Sequence, residues 1–144
     1  MYKRILVPTD GSDITAIAVQ TAISLAKVTG AELMAICVKE PFPYSAISEM
    51  QPVPPQEFYD AQERIAAARV KAVVDAATTA SVACTGFTVE ALHPWEAILD
   101  HAKTQQCDLI VMASHGRRGI AGLLLGSETH HVLTHSGIPV LVWR

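Results

Sequence analysis

Five short apolar runs, separated by segments with helical periodicity, constrain the fold of this chain more than any other feature of its sequence. In the first, second and fourth runs the apolar residues follow one another without alternation, as in a parallel strand covered on both faces. The third run alternates, which indicates a more exposed strand. The predicted strands are Lys3–Thr9, Leu33–Val38, Gly86–Ala91, Asp108–Ala113 and Ile138–Trp143.

Four helices are predicted between these strands, because apolar residues recur there at spacings of three and four. They are Ile14–Val28, Glu57–Ala80, a helix opening at His93-Pro94-Trp95-Glu96, and Leu123–Ser136. In the first, we expect the buried residues to be Ile14, Ile17, Ala18, Ala22, Leu25 and Ala26. In the second they are Phe58, Ala61, Ile65, Ala68 and Ala72, and in the third Trp95, Ile98, Leu99 and Ala102.

Strands that alternate with helices predict a parallel sheet with right-handed crossovers. We therefore predict one doubly wound, Rossmann-like α/β domain over residues 1–144, with five parallel strands in the order 3-2-1-4-5 and helices on both faces. Such sheets bind ligands beyond the carboxyl ends of the strands, where the strand order reverses. The first and fourth strands meet at that point, so the turn Pro8-Thr9-Asp10 and the loop Ser114–Gly122 are expected at one crevice.

Composition narrows the class of protein. Half of the residues are apolar, yet no run approaches the roughly 18 residues of a membrane span, and the N-terminus becomes polar too early for a signal peptide. We therefore expect a cytoplasmic protein. The net charge of −3 gives no general reason to bind nucleic acid. Three widely spaced cysteines (Cys37, Cys84 and Cys107) favour reduced structural thiols over a disulfide framework.

The stretch from Asp108 to Ser127 has the order of an anion site: a buried strand, a glycine-rich loop and the start of a helix. Backbone N–H groups and the positive end of the helix dipole converge there. Ser127 is placed to cap the helix or to offer its hydroxyl to a phosphate. The glycines are equally consistent with an ordinary loop that binds no ligand. Arg117 and Arg118 are equally consistent with solvated surface charge. His115 would either contact a phosphate or shape the turn.

Other polar residues leave alternatives open. Asp10 is placed to bind a sugar hydroxyl or a metal ion, or simply to cap a turn. His131 and His135 have the spacing of a metal pair, but a solvated helix face is favoured. The proline-rich stretch Lys39–Gln56 is either a lid or a flexible excursion. Because no nucleophile with an adjacent base is present, chemistry beyond binding is not implied, and an enzyme is not favoured.

The chain resembles the universal stress protein family over essentially its full length. The matching pieces are KRILVPTDGS, ICVKEP, HPWEAI, DLIVMASHGRRG, LLLGS and IPVLVWR. The nucleotide-binding branch of that family carries the signature G-2x-G-9x-G-[ST]. Here Gly116 is its second glycine, and the nine residues Arg117–Leu125 separate it from Gly126 and Ser127.

The resemblance implies an ATP site, with Mg²⁺ or Mn²⁺ as a companion ion and ADP or AMP as alternative ligands. It implies that Asp10 holds the ribose or the metal, and that Pro8, Thr9 and Val38 line the adenine and ribose pocket. The phosphates would be held by Ser114, His115, Gly116, Gly126 and Ser127, above Met112 and Ala113. It also implies a homodimer joined through the last strand, whose apolar edge invites pairing in any case.

The chain departs from the family pattern at three positions. Ala113 replaces the first glycine of the signature. Its methyl group would hinder binding if this position needs a positive φ or a very close phosphate, and it is harmless if the position is ordinary strand backbone, which the continuous apolar run favours. Glu128 follows Ser127, where its carboxylate would either repel a terminal phosphate or help to bind Mg²⁺. Cys37 stands where the family often has histidine.

These features favour a dimeric, ATP-binding stress-response sensor or regulator that acts on a still unknown protein partner. The main alternative is a protein-interaction module of the same fold with a vestigial pocket. A small α/β enzyme, such as a phosphatase or a flavin protein, is disfavoured because the nucleophile and the redox motif are missing.

Overall fold

The computed structural model describes residues 1–41, 55–116 and 125–144. Within them the chain forms five strands and four helices in alternation. In chain order these are β1 (Arg4–Pro8), α1 (Asp13–Thr29), β2 (Glu32–Lys39), α2 (Gln56–Thr79), β3 (Cys84–Glu90), α3 (Pro94–Thr104), β4 (Leu109–Ala113), α4 (Ser127–His135) and β5 (Val140–Trp143). None of these helices is long and apolar enough to cross a membrane.

The sheet has the strand order β3-β2-β1-β4-β5, and every neighbouring pair is parallel. The predicted fold class and strand order are therefore confirmed. β1 lies between β2 and β4, so the chain reverses its direction of travel across the sheet between β3 and β4. This reversal places the ends of β1 and β4 side by side at the switch point of the sheet.

Two apolar layers form the core, one on each face of the sheet. Ile5, Val7 and Val111 face the layer completed by α1 and α2. Leu6, Ile36 and Ile110 face the opposite layer, beneath α3 and α4. Because successive strand residues point to opposite faces, strands buried on both sides need uninterrupted apolar runs. This requirement explains why the buried strands could be predicted from uninterrupted apolar runs in the sequence.

The predicted buried residues of the helices were partly wrong. In α1 the buried residues include Thr15, Val19 and Ile23, whereas Ile17 is 46% exposed. In α2 the buried stripe is Ala66, Val70, Val73 and Ala77, not the predicted set. Both helices carry alanine or other apolar residues around most of their circumference, so several stripes have nearly equal hydrophobicity and the sequence does not select one.

The other two helices also differ from the prediction. In α3 Ile98 and Ala102 are buried as expected, while Trp95 and Leu99 are only half-buried. The described part of the last helix begins at Ser127, and the predicted start at Leu123 lies outside the described residues.

The sequence predicts Asp108 as the first residue of the fourth strand. In the structure β4 begins at Leu109, and Asp108 is the last residue of the loop before it. Its carboxylate accepts hydrogen bonds from the backbone N–H groups of Lys3 (2.9 Å) and Arg4 (3.1 Å), at the start of β1. These two bonds connect the beginnings of neighbouring central strands. They fix the register that places the carboxyl ends of β1 and β4 together.

Gly86 lets α2 approach β3 closely. A Cβ atom added at Gly86 would lie 2.0 Å from Cγ1 of Val70 on α2. We expect Gly86→Ala to lower the free energy of unfolding by about 1–3 kcal/mol, because the helix must move away from the sheet. Urea unfolding followed by circular dichroism measures this change.

The matched control for Gly86 is Gly137→Ala, since a Cβ added at Gly137 meets nothing within 4 Å. Adding Val70→Ala to Gly86→Ala should recover part of the lost stability by making room for the methyl group. Equal stability of the Gly86→Ala variant and the unmodified protein would contradict this account of the contact.

Candidate functional site

The predicted site residues all lie at the carboxyl edge of the three central strands. Pro8 ends β1, with Thr9 and Asp10 following it, and Val38 lies near the end of β2. Met112 and Ala113 end β4. Ser114, His115 and Gly116 follow β4 directly, and Gly126 and Ser127 begin α4. The rest of the glycine-rich loop, residues 117–124 with both arginines, and most of the proline-rich stretch, residues 42–54, lie outside the described residues.

Asp10 has the capping role that its position in the turn suggested. Its Oδ1 accepts hydrogen bonds from the N–H of Ser12 and from Oγ1 of Thr15, both at 2.9 Å. Ser12 is in turn the N-cap of α1, accepting a bond from the N–H of Thr15. These contacts fix the carboxylate at the end of β1.

The second oxygen of Asp10 faces the glycine-rich loop. A Cβ atom added at Gly116 would lie 2.5 Å from Oδ2 of Asp10. Only a residue without a side chain can therefore take this position unless the carboxylate moves. The turn after β1 and the loop after β4 thus meet at one point, as the strand order required.

Gly126 packs directly against the start of the same loop. Its N–H donates to the carbonyl oxygen of Ser114 at 2.7 Å, and its carbonyl oxygen accepts from the N–H of His130 at 3.0 Å. An added Cβ would lie 3.3 Å from Cα and Cβ of His115 and from the oxygen of Ser114. At the two glycines of the signature the backbone therefore lies close to other groups of the site, Asp10 at Gly116 and the Ser114-His115 segment at Gly126.

The start of α4 has no side-chain cap from its N-cap residue, Gly126. Ser127, the first residue of the helix, is exposed. Thr129, one turn in, is buried and donates its hydroxyl hydrogen to the carbonyl oxygen of Ala113 at 2.9 Å. This bond anchors the helix to the end of β4 and aims its N-terminus, the positive end of its dipole, at the loop.

Backbone hydrogen bonds hold the floor of the crevice. Thr9 is buried, and its N–H donates to the carbonyl oxygen of Ile36 in β2 at 2.8 Å. Ser114 is only 3% exposed, its N–H donates to the carbonyl oxygen of Trp143 at 2.7 Å, and its Oγ lies 3.1 Å from Nδ1 of His115. The loops after β1 and β4 are thereby tied to the strands on either side.

Ala113 occupies ordinary strand backbone. It is buried, ends β4 and pairs with Trp143 of β5. It is not among the described non-glycine residues with positive φ, which are Ser81 and Gln106. The alanine at the first glycine of the signature therefore carries no backbone strain.

The carboxylate of Glu128 is bonded to α3. Its Oε2 accepts a hydrogen bond from the N–H of Trp95, in the first turn of α3, at 2.8 Å. A carboxylate at this position stabilises the positive end of α3 and satisfies one of its unpaired donors. No local sequence signal indicates this role, because the two residues lie 33 positions apart in the chain.

His131 and His135 do not form a simple solvated face. Both rings stack on the indole of Trp95, with centroid distances of 5.0 Å and 4.7 Å. His131 is half-buried and His135 is exposed, so the predicted solvated face is confirmed for His135, whereas His131 belongs to a packing surface between α3 and α4. The described residues contain no group of three or more His, Cys, Asp or Glu that could hold a metal ion.

Arg69 of α2 is a further residue that the sequence did not single out. Its guanidinium lies close enough to the buried thiol of Cys37 in β2 to act on the pKa of that thiol. Burial raises the pKa of Cys37, and the guanidinium of Arg69 opposes that rise only in part. The residue that replaces the family's usual histidine is therefore a protonated thiol.

The cysteines should be slow to react in the folded protein. All three are free, and burial raises the pKa of Cys84 and of Cys107 from 9.0 to about 11. Because the folded state holds these protons more tightly, at pH 8 the thiolate fraction should be about 100-fold lower than in the unfolded chain. Labelling with a disulfide reagent at pH 8, with and without urea, measures the ratio.

The same pKa shifts predict a loss of stability at high pH. A raised folded-state pKa contributes its full stabilisation below the unfolded value near 9.0, and this is lost as the pH rises toward about 11. Rapid labelling of Cys84 and Cys107 in the native protein at pH 8 would contradict the burial seen here.

Comparison with known proteins gives a consistent result. The family model described as "Universal stress protein family" matches residues 1–144. Universal stress protein MJ0531 of Methanocaldococcus jannaschii is 33% identical over 151 residues, covering 99% of this chain and 82% of the relative. The solved structure of MJ0577, from the same organism, matches with a TM-score of 0.84 and 27% identity, covering 99% of this chain and 95% of that one. A universal stress protein solved in complex with cAMP matches with a TM-score of 0.73 and 26% identity, covering 99% and 97% of the two chains.

Proposed function

Because this chain belongs to the universal stress protein family, we propose that it binds ATP at the carboxyl edge of its sheet and acts as a cytoplasmic sensor or regulator in the stress response. Residues 1–144 form a single domain in this proposal, and the working unit is a homodimer joined through β5. ATP binding alters the surface offered to a partner protein.

The contact between Asp10 and Gly116 carries the proposal. It joins a carboxylate suited to ribose hydroxyls or a metal ion to a glycine whose bare backbone admits phosphate oxygens. Asp10 is fixed by Ser12 and Thr15, so the site is preorganised on this side. The remaining roles follow the family pattern: Pro8, Thr9 and Val38 contact the nucleoside, and Ser114, His115, Gly126 and Ser127 contact the phosphates.

Two departures from the family pattern are compatible with this function. The methyl group of Ala113 lies on unstrained strand backbone. The carboxylate of Glu128 is engaged by α3, which lowers its repulsion of a terminal phosphate. Mg²⁺ or Mn²⁺ bound beside Asp10 would neutralise part of the phosphate charge. A related structure in complex with cAMP supports adenine nucleotides as the ligand class, so ADP and AMP remain alternatives.

Calorimetric titration of nucleotide-stripped protein tests the proposal. ATP, ADP, AMP and cAMP are titrated with Mg²⁺, with Mn²⁺ and with neither ion. We expect saturable binding, tightest for ATP with the metal, and a rise in melting temperature that follows from binding to the folded state alone. Absence of both heat and thermal shift at about 1 mM ATP, a ΔG weaker than about −4 kcal/mol, would favour the interaction module with a vestigial pocket.

A further inference from the structure

A groove runs between β3, the edge strand of the sheet opposite β5, and one face of α3. Its volume is about 320 Å³. Val89, Leu92 and Ala97 supply apolar surface, and Glu96 and Asp100 supply carboxylates. It lies outside the proposed nucleotide site, since none of the predicted nucleotide-binding residues lines it.

The outer edge of β3 offers backbone groups for pairing. Ala83 and Ala91 form backbone hydrogen bonds toward β2, at 2.8 Å and 3.2 Å. Because N–H and C=O groups point to alternate sides along a strand, those of Gly86, Thr88 and Glu90 point outward. Among the described strands, only β2 pairs with β3. The edge also lacks the lysines that often protect such strands.

The two carboxylates of the groove are uncompensated. Within the described part of the chain, Glu96 and Asp100 take part in no ion pair or side-chain hydrogen bond. No lysine or arginine lines the groove, and Lys103 on the same helix lies outside the lining. His101, beneath the groove, packs its ring against Phe87 at 4.3 Å, and its Nε2 is buried without a partner among the described residues. Burial lowers the pKa of His101, so its ring adds no positive charge near neutral pH.

From this combination we propose that the groove between β3 and α3 docks an extended, lysine- or arginine-rich segment of another protein, which adds to the sheet as a sixth strand beside β3. Main-chain hydrogen bonds to Gly86, Thr88 and Glu90 hold the segment, and its alternate basic side chains face α3. Their aliphatic stems cover the apolar lining of the groove, and their charged ends meet Glu96 and Asp100. A second copy of this chain is a poor occupant, because two such edges would bring like charges together.

The probe for this interaction is a fluorescein-labelled octapeptide of alternating lysine and valine, added to the full chain and followed by fluorescence anisotropy. Replacing Glu96 and Asp100 with lysine should weaken its binding about tenfold, since two exposed attractions become repulsions. The control double variant, Glu57→Lys with Asp75→Lys, makes the same change in net charge on α2 and should bind normally. A peptide with alternate amides N-methylated keeps its charges but cannot pair as a strand, so it should not bind.

Amide hydrogen exchange locates the bound peptide. Protection should rise at Gly86, Thr88 and Glu90, and not at the opposite edge strand β5. Four results would overturn the proposal: no binding at about 1 mM peptide, equal weakening in both lysine variants, undiminished binding of the N-methylated peptide, or protection confined to β5. A change in oligomeric mass in the Glu96→Lys, Asp100→Lys variant would instead assign the groove to contacts between copies of the chain.

Discussion

Replacing Gly116 with valine is expected to weaken ATP binding by at least about 100-fold, because the glycine loop must shift relative to the acidic turn. The added Cβ would lie 2.5 Å from Oδ2 of Asp10, too close for any side chain. Either the carboxylate leaves Ser12 and Thr15, or the loop moves by about 1 Å, and both displace groups that position the nucleotide. Calorimetric titration with ATP and Mg²⁺ measures the loss.

Alanine substitutions at Gly116 and Gly126 test the same steric explanation, because the two positions differ in the space that an added Cβ would have. A Cβ added at Gly126 meets His115 and Ser114 at 3.3 Å, a tight contact that small adjustments relieve. We therefore expect Gly116→Ala to reduce ATP affinity more than Gly126→Ala, whereas Gly126→Leu should abolish binding. If both glycines acted only through loop flexibility, the two alanine variants would lose similar affinity, and that outcome would contradict the steric account.

The control for these variants is Gly137→Val, which adds the same side chain where nothing lies within 4 Å of the Cβ. Circular dichroism and thermal unfolding without nucleotide establish that each variant is folded. A folded Gly116→Val protein that binds ATP within about threefold of the original, a difference below 1 kcal/mol, would place the nucleotide pocket elsewhere.

The fold was predictable because its signal is local and repeated. Runs such as those around Ile5 and Ile110 are apolar on both faces of a strand, and the helices between them leave only parallel crossovers. The meeting of Asp10 with Gly116 also followed from the strand order, without knowledge of any side-chain position. The details of the helix faces did not follow, because apolar residues surround most of α1 and α2, and Ile17 and Ile65 lie outside the faces that pack on the sheet.

The contacts between α3 and α4 were not predictable for a different reason. Glu128 reaches the N–H of Trp95, and the indole of Trp95 lies against His131 and His135. These contacts depend on how two helices cross over the sheet, which neither segment encodes alone. They also connect the first turn of α4, at the proposed phosphate site, to the start of α3. A change in the position of α4 on ATP binding would therefore also shift α3 and its outer surface.

Placing lysine at Leu141 and Trp143 together is expected to dissociate the proposed homodimer. Pro139 and Trp143 direct their carbonyl oxygens to β4, so the backbone groups of Val140 and Val142 face the free edge of β5. Leu141 and Trp143 are each 42% exposed beside that edge, where a second β5 would cover them. Two added charges per subunit, close to their symmetry mates, should raise the dimer dissociation constant by at least about 100-fold.

Light scattering coupled to size-exclusion chromatography measures the mass of this variant over a range of concentrations. The matched control is Val28→Lys with Ile65→Lys, which adds the same charge at exposed apolar positions on α1 and α2. Because Leu141 and Trp143 are already partly exposed, their replacement should leave the monomer folded and its proposed ATP site intact, since the residues proposed for that site lie on β1, β2, β4 and α4 of a single chain. A dimer that survives both lysines would show that the subunits associate through another surface, whereas loss of ATP binding together with the dimer would show that the site depends on the partner.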